Sequence, residues 1–371
     1  MSQRLTNRFY VATRKGLFTF ARDSNQWAIS ALDFSGEPVS AVSEDKSGNS
    51  LMAALNLGHF GAKLWRRDGE DSWQELAVPV YPKAEATDKS ADAPPAPALS
   101  QIWYLAPGGP DQGGRMWAGT IPGGLFRSDD LGASWQLIHS LWSDPRRLEW
   151  FGGGYDNPGI HSICVDPRNS KHISIAVSCG GVWHSRDDGA SWELAAAGMC
   201  APYMPPDRAA DENIQDVHRM VQCPGQPDRL WVQHHGGIYR SDDGGRTWVR
   251  ITSAAPSDFG FTCAVHPTQP QMAWFIPGQA DQKRIPVDGR LVALRTDDGG
   301  ATFKQLRAGL PQEYAYDLVY RHGLDISPDG NVVAFGSTTG NLWLSEDRGE
   351  NWQCLSTSLP PIYAVYFSRR V

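Results

Sequence analysis

SDDGGRTW (241–248) is the stretch on which the reading of this chain turns, because it recurs. Near copies stand at 128–135 (SDDLGASW), 185–192 (SRDDGASW), 296–303 (TDDGGATF) and 345–352 (SEDRGENW). The shared frame is Ser or Thr, any residue, Asp, any residue, Gly, any residue, a small polar residue, then Trp or Phe. Successive copies start 49 to 57 residues apart, the signature of a repeat architecture. Asp130, Asp187, Asp243, Asp298 and Asp347 are short acceptors, expected to bond backbone N–H groups two residues on. The glycine two residues after each Asp supplies a positive φ without steric cost, so the chain reverses tightly. The aromatic then opens the next strand and buries a large apolar plate. Each phrase therefore reads as a hairpin turn locked by its own side chains.

These residues resemble the Asp-box, or BNR repeat, of sialidase-like propellers. Five good copies with their strands cover about residues 99–357. Two weaker copies, KLWRRDGEDSW (63–73) and GLFTFARDSNQW (16–27), bring the count to seven units. The fold expected is all-β: a seven-bladed propeller of four-stranded antiparallel blades. One domain, 1–371, is expected. Its blades fall at about 7–30 with 361–371, 37–79, 99–140, 160–197, 217–253, 260–308 and 321–357. The N-terminal unit lacks an innermost strand and IYAVYFS (362–368) lacks partners, so the last strand is expected to complete the first blade and leave no open edge. Trp27, Trp73, Trp135, Trp192, Trp248, Phe303 and Trp352 are expected to be packing residues.

Composition narrows the function. A net charge of −7 with no long charge run argues against a nucleic-acid binder. There is no apolar run of membrane-spanning length, so no membrane partner is expected. The opening residues MSQRLTNRFYVATRKG lack the layout of a secretory signal, and a cytoplasmic location is expected. The six cysteines are scattered without a CxxC pair, and read as small hydrophobes in a reducing compartment.

In such a ring the blade-to-blade loops share one rim with the loops between second and third strands. The repeated turns lie near the opposite rim. Long insertions crowd the first rim: the Pro/Ala-rich excursion 80–98, then 141–159, 198–216 and 277–290. Long, chemically varied loops on a rigid scaffold are where function concentrates. Aligned on the Pro that ends each innermost strand, His161, His218 and His322 share one column, six residues before Pro167, Pro224 and Pro328. Gln101 and Phe261 take that place in the third and sixth units, and Tyr363 in the first. His234 and His235 end a second strand facing the same rim. Converging imidazoles suit acid–base chemistry, with Asp216 or Asp317 as orienting carboxylate. They equally suit a divalent metal in the channel, held by His161, His218, His235 and His322. Arg14, Arg284 and Arg321 share the rim and are expected to hold an anion. Gln101, His234, Tyr155 and Asp156 complete the expected ligand-binding set, and Gly152–Gly154 suggest a mobile or closely approached loop.

The resemblance implies an enzyme of hydrolase type, or a binder, acting on a sugar or small acidic molecule. KRIP (283–286) is similar to the Arg-Ile-Pro motif of sialidases. Sialidases have six blades and carry that motif in the first, whereas Arg284 falls in an insertion of the sixth unit of seven. The resemblance therefore implies the scaffold more than the active site. The photosystem II assembly factor is a single seven-bladed Asp-box ring without catalysis, so a protein partner on the same rim is the alternative.

Overall fold

The structure, a computed structural model, describes residues 7–24, 26–82 and 97–370. Most of the 80–98 excursion lies outside the described residues. Seven four-stranded antiparallel sheets form the molecule. Each runs as a meander, and in the fourth blade the strands are Ile160–Val165, Ile173–Val177, Gly181–Ser185 and Glu193–Leu194. The first sheet is completed by the C-terminal strand Ile362–Phe367, which pairs antiparallel with Arg8–Thr13 through Phe9↔Phe367 and Val11↔Val365. The ring is thus closed by a clasp between chain ends. Among the described residues, no helix is long and apolar enough to cross a membrane.

The core lies between the faces of adjacent blades. Between the sixth and seventh, Trp274, Ile276, Val333, Phe335 and Trp352 form one buried cluster. The repeat aromatics belong to this packing. Trp248 is 3% exposed and its indole donates to the carbonyl of Ala195 in the preceding blade (2.8 Å). Trp192, Trp27 and Trp352 are likewise buried, while Trp73, Trp135 and Phe303 are half-buried.

The turn lock differs in detail from the two-residue bond expected. Asp243 accepts from Thr247 N (3.0 Å) and Thr247 Oγ1 (2.8 Å), four residues ahead. The two-residue bond runs backwards, from Asp243 N to Ser241 Oγ (3.4 Å), and Ser241 Oγ also accepts from Gly245 N (2.9 Å). Asp130, Asp187 and Asp298 make the same pair of bonds four residues on. The reach is longer because Gly245, at φ 87°, throws the chain back over the carboxylate.

The innermost strands carry the feature that builds the site. In six of the seven blades the pairing of the strand nearest the axis slips at one level, leaving an extra residue there. Such a bulge re-aims the side chain it frees. The residues at that level are Tyr363, Ser40, Trp103, His161, His218 and Phe261. His322 stands at the same height in the seventh blade, bridged to Ala364. The Pro alignment is therefore off by two residues in the third blade. The slip between Ile102 and Tyr104 puts Trp103, not Gln101, in the column. The cause is that Pro107 is itself the last paired residue of that strand, whereas Pro167 and Pro224 lie beyond theirs.

Candidate functional site

A cavity of about 500 Å³ opens at the axis. Its walls come from the blade-to-blade connections and the loops between second and third strands. Arg14 stands on the turn after Arg8–Thr13, Asn56 ends the strand Ser50–Asn56 with Gly58 on the loop beyond it, and Gly153–Tyr155 lie on the 141–159 insertion. Arg284 comes from the 277–290 insertion, and Tyr320–His322 from the sixth-to-seventh connection. The three arginines expected to hold an anion are thus brought to one cavity, with Gln101, Tyr155 and His322. Asp156 is exposed and does not line it. Among the described residues, no lining side chain is a carboxylate.

Arg321 is the unusual member. It is 8% exposed, no carboxylate among the described residues lies within ion-pair distance of it, and its Nε and Nη2 are buried without a partner among them. Its guanidinium lies over Trp103 (4.8 Å) and Phe261 (5.7 Å). Burial pulls its ionisation below the usual arginine range, opposed by the more distant Asp216 and Tyr155. Two aromatic faces therefore hold a cation whose hydrogen-bonding edge is unsatisfied. Arg284 is anchored by Asp281 (2.6 Å) and also lies over Phe261 (5.1 Å), whereas Arg14 is exposed. Gln101 is oriented by Asn56 Nδ2 (2.9 Å), and the Tyr155 ring meets Trp103 edge-on (5.2 Å).

The histidines do not converge as one group. His322 Nε2 lies 2.8 Å from the His161 carbonyl. A carbonyl only accepts, so Nε2 carries the proton and Nδ1 is an acceptor on a residue that lines the cavity. His161 is fully buried beneath Trp103, with Nδ1 near Ser162 Oγ (3.1 Å), and burial holds it neutral, well below the usual imidazole range. His234 turns inward: Nδ1 accepts from Gly236 N (2.8 Å), and burial pushes its ionisation down to about 3. The four-histidine metal set is thus not assembled, since His161 and His322 are fixed by contacts with each other and lie outside the His218–His235 group. Arg219 also donates to the His161 carbonyl (3.3 Å) and stacks on Tyr104, narrowing the axis below the cavity. Asp317 bonds Asn341 (2.9 Å) and orients no histidine.

His218 and His235 instead meet Asp216. Asp216 Oδ2 lies 3.3 Å from His218 Nε2 and 3.4 Å from His235 Nδ1, and its Oδ1 is buried without a partner. The His235 N–H donates to the Asp216 carbonyl (2.9 Å), tying the turn after the strand Leu230–His234 to the carboxylate's own residue. Burial alone would raise the Asp216 carboxyl. The His218 and His235 imidazoles outweigh it and hold the group well below the usual carboxylate range. His235, half-buried, is raised by its bond to Asp216. Gly153 explains the glycine run: a Cβ there would come within 2.7 Å of Cys179 Sγ and 3.1 Å of Asp216 Oδ1. The loop is closely approached, and Trp150, 6% exposed and bonded to Asn213 (3.0 Å), pins it. Trp103, Cys179 and Tyr320 were missed in the sequence. Cys179 holds φ 49° at the end of a strand hairpin, which a non-glycine letter does not announce.

No protein-family model matches the chain. Among curated proteins it is similar to an oligoxyloglucan-reducing end-specific xyloglucanase of Emericella nidulans, 24% identical over 237 residues, which covers 61% of this chain and 26% of that protein. A xyloglucanase of Hypocrea jecorina is 22% identical over 313 residues, covering 78% and 35%. The chain thus spans about a quarter to a third of the length of these curated relatives. Among solved structures it is similar to an ancestral GH74 enzyme, with a TM-score of 0.59 and 18% identity over 86% of this chain and 38% of that one. This chain is a seven-bladed β-propeller with xyloglucanases among its relatives.

Proposed function

We propose that the chain binds a small acidic carbohydrate at the mouth of its central channel and acts on it as a hydrolase-type enzyme. The observation that carries the reading is Arg321, a buried guanidinium with an unpaired edge in a cavity without lining carboxylates among the described residues. A carboxylate or phosphate offers the planar, bidentate acceptor that such an edge lacks. Trp103 and Tyr155 supply faces for a sugar ring, and His322 Nδ1 supplies a proton acceptor. Xyloglucanases among the relatives support the sugar and the hydrolysis. The repeated turns support a place beside the Asp-box propellers, as scaffold only. Calorimetry with galacturonate against galactose tests the reading. Galacturonate is expected to bind, and His322→Gln to keep binding while losing release of reducing ends from an acidic oligosaccharide. Equal affinity for the neutral sugar overturns it.

A second reading, a protein-binding rim, is favoured by one observation. Phe60, Tyr314 and Tyr316, on loops around the mouth, are 71%, 84% and 61% exposed. It predicts that Arg321 is dispensable for binding.

A further inference from the structure

Beside the cavity, Asp216, His218 and His235 make a group that the anion-binding reading does not use. Their donor atoms all lie within 4.8 Å of one another. With a neutral His218 ring, the hydrogen-bond ledger of this group does not close. His218 Nδ1 lies 2.6 Å from the carbonyl of Gly260, which only accepts, so Nδ1 carries the proton. In the neutral ring, Nε2 is then a lone pair. That lone pair points at Asp216 Oδ2, an acceptor, from 3.3 Å. Two acceptors facing one another in a buried site need either a second proton on the ring or a metal ion between them.

The separations say which cation. A charge-assisted N–H···O contact closes to about 2.7–2.9 Å. The two contacts here stand at 3.3 and 3.4 Å. Around a tetrahedral ion with bonds of about 2.0–2.1 Å, neighbouring ligand atoms are ~3.3 Å apart. Both distances from the carboxylate match the spacing of ligands around a metal better than that of charge-assisted donors, and the two imidazole nitrogens lie within 4.8 Å of each other. Three further features fit. Asp216 is 4% exposed and its Oδ1 has no partner. The bond from His218 to Gly260 is the outer contact that fixes the tautomer of a metal-bound imidazole. The backbone bond from His235 to Asp216 holds two of the residues in register before any ion arrives.

We propose that Asp216, His218 through Nε2 and His235 through Nδ1 form a binding site for a divalent first-row transition ion of zinc type, with one coordination position left open. Three protein ligands and an open position are the arrangement of sites that bind a water or substrate atom. Two imidazoles with one carboxylate suit zinc or its neighbours over magnesium or calcium. The site lies behind the cavity wall, where the lining residue Phe261 stacks on His218 (4.5 Å), but its ligands do not line the cavity and it does not depend on that reading.

The test uses the full chain, stripped with a chelator, dialysed, and titrated with Zn²⁺ against a competing chelator. Co²⁺ is titrated in parallel by visible absorption. Wild type is expected to take up one equivalent of zinc, and cobalt to give intense ligand-field bands. Asp216→Asn and His235→Gln are each expected to weaken zinc by at least ~100-fold, the upper end of losses seen for mere outer-shell partners. His59→Gln, an exposed rim histidine, is expected to bind as wild type does. Arg321→Met is expected to keep zinc while losing galacturonate, which separates this site from the cavity. Should Asp216→Asn fail to fold, His235→Gln carries the test, because His235 is half-exposed on a turn. No zinc uptake by wild type means that a proton fills the gap, and it overturns the proposal. So does zinc affinity in His235→Gln equal to that of wild type.

Discussion

Replacing Arg321 by Met should make the protein more stable and less able to bind. The side chain is 8% exposed, among the described residues no carboxylate pairs with it directly and only the more distant Asp216 offsets its burial, and its Nε and Nη2 have no partner. Taking such a charge out of water costs several kcal/mol even after relaxation. The faces of Trp103 at 4.8 Å and Phe261 at 5.7 Å return about 1–2 kcal/mol each. Met keeps the apolar contact with both rings and removes the charge, so the net gain is about 1–3 kcal/mol. Unfolding entropy of about 2.1 cal/mol/K per residue, over 371 residues, makes that a rise of ~1–4 °C in Tm. The binding side moves the other way. Two charge-assisted bonds to a carboxylate are worth about 3 kcal/mol or more, so galacturonate affinity should fall by ~10²-fold. Differential scanning calorimetry and isothermal titration calorimetry on the same preparations read both quantities. Arg321→Lys, which keeps charge but not the planar fork, should recover less than half of the lost binding energy. A variant that melts several degrees lower, or that binds galacturonate like wild type, would show that Arg321 is a structural ion and refute the reasoning.

Two further outcomes follow from the fold. Deleting residues 362–371 removes Ile362, Val365 and Phe367, all nearly fully buried, at about 1.5–3 kcal/mol each. The sum rivals a whole domain's stability, so the truncated chain should be insoluble or lack a cooperative melt; an unchanged melting curve would contradict the clasp. His184 is buried against His172 (3.2 Å), and burial first, then His172 and Arg186, push its ionisation down to about 3. It stays neutral in the fold while the unfolded chain takes up a proton below about pH 6.5. Its contribution is therefore complete above about pH 6.5 and lost as pH falls toward 3. The loss is roughly 2 kcal/mol by about pH 5. Denaturant midpoints of wild type and His184→Gln, compared at neutral and acid pH, should converge by that amount on acidification, and parallel profiles would rule it out.

What was legible in the sequence had a period or a location. The turn phrase repeats, so seven blades could be counted, and the unpaired strands at the two ends could only satisfy each other. Arg14, Arg284 and Arg321 were legible because all three sit on loops of one rim, and loop position follows from strand order alone. What was not legible depends on one-residue slips and on pairing across strands. Trp103 displaced Gln101 from the column because a bulge moves a side chain without changing any letter. Asp216 and His235 meet through the pairing Val217↔His234, which fixes the end of one strand beside the turn after another. The letters showed two histidines and an aspartate; only the register brought them to one point.

The ring of bulges has a consequence for how this fold can change. At one height the strands present Tyr363, Ser40, Trp103, His161, His218 and Phe261, a hydroxyl, two imidazoles and three larger aromatic rings. Their immediate strand neighbours include Ile362, Ala41, Ile102, Ile160, Val217 and Gly260, which are small or apolar and buried. Specificity and stability are thus written at alternate positions of the same short strands. Replacing a member of the ring alters the chemistry offered to the axis and, where that member also bonds the next blade, as Ser40 does at the Ile102 carbonyl and His218 at that of Gly260, one polar tie of the seam as well. A propeller built this way is a combination lock in which some of the dials also help to hold the case shut.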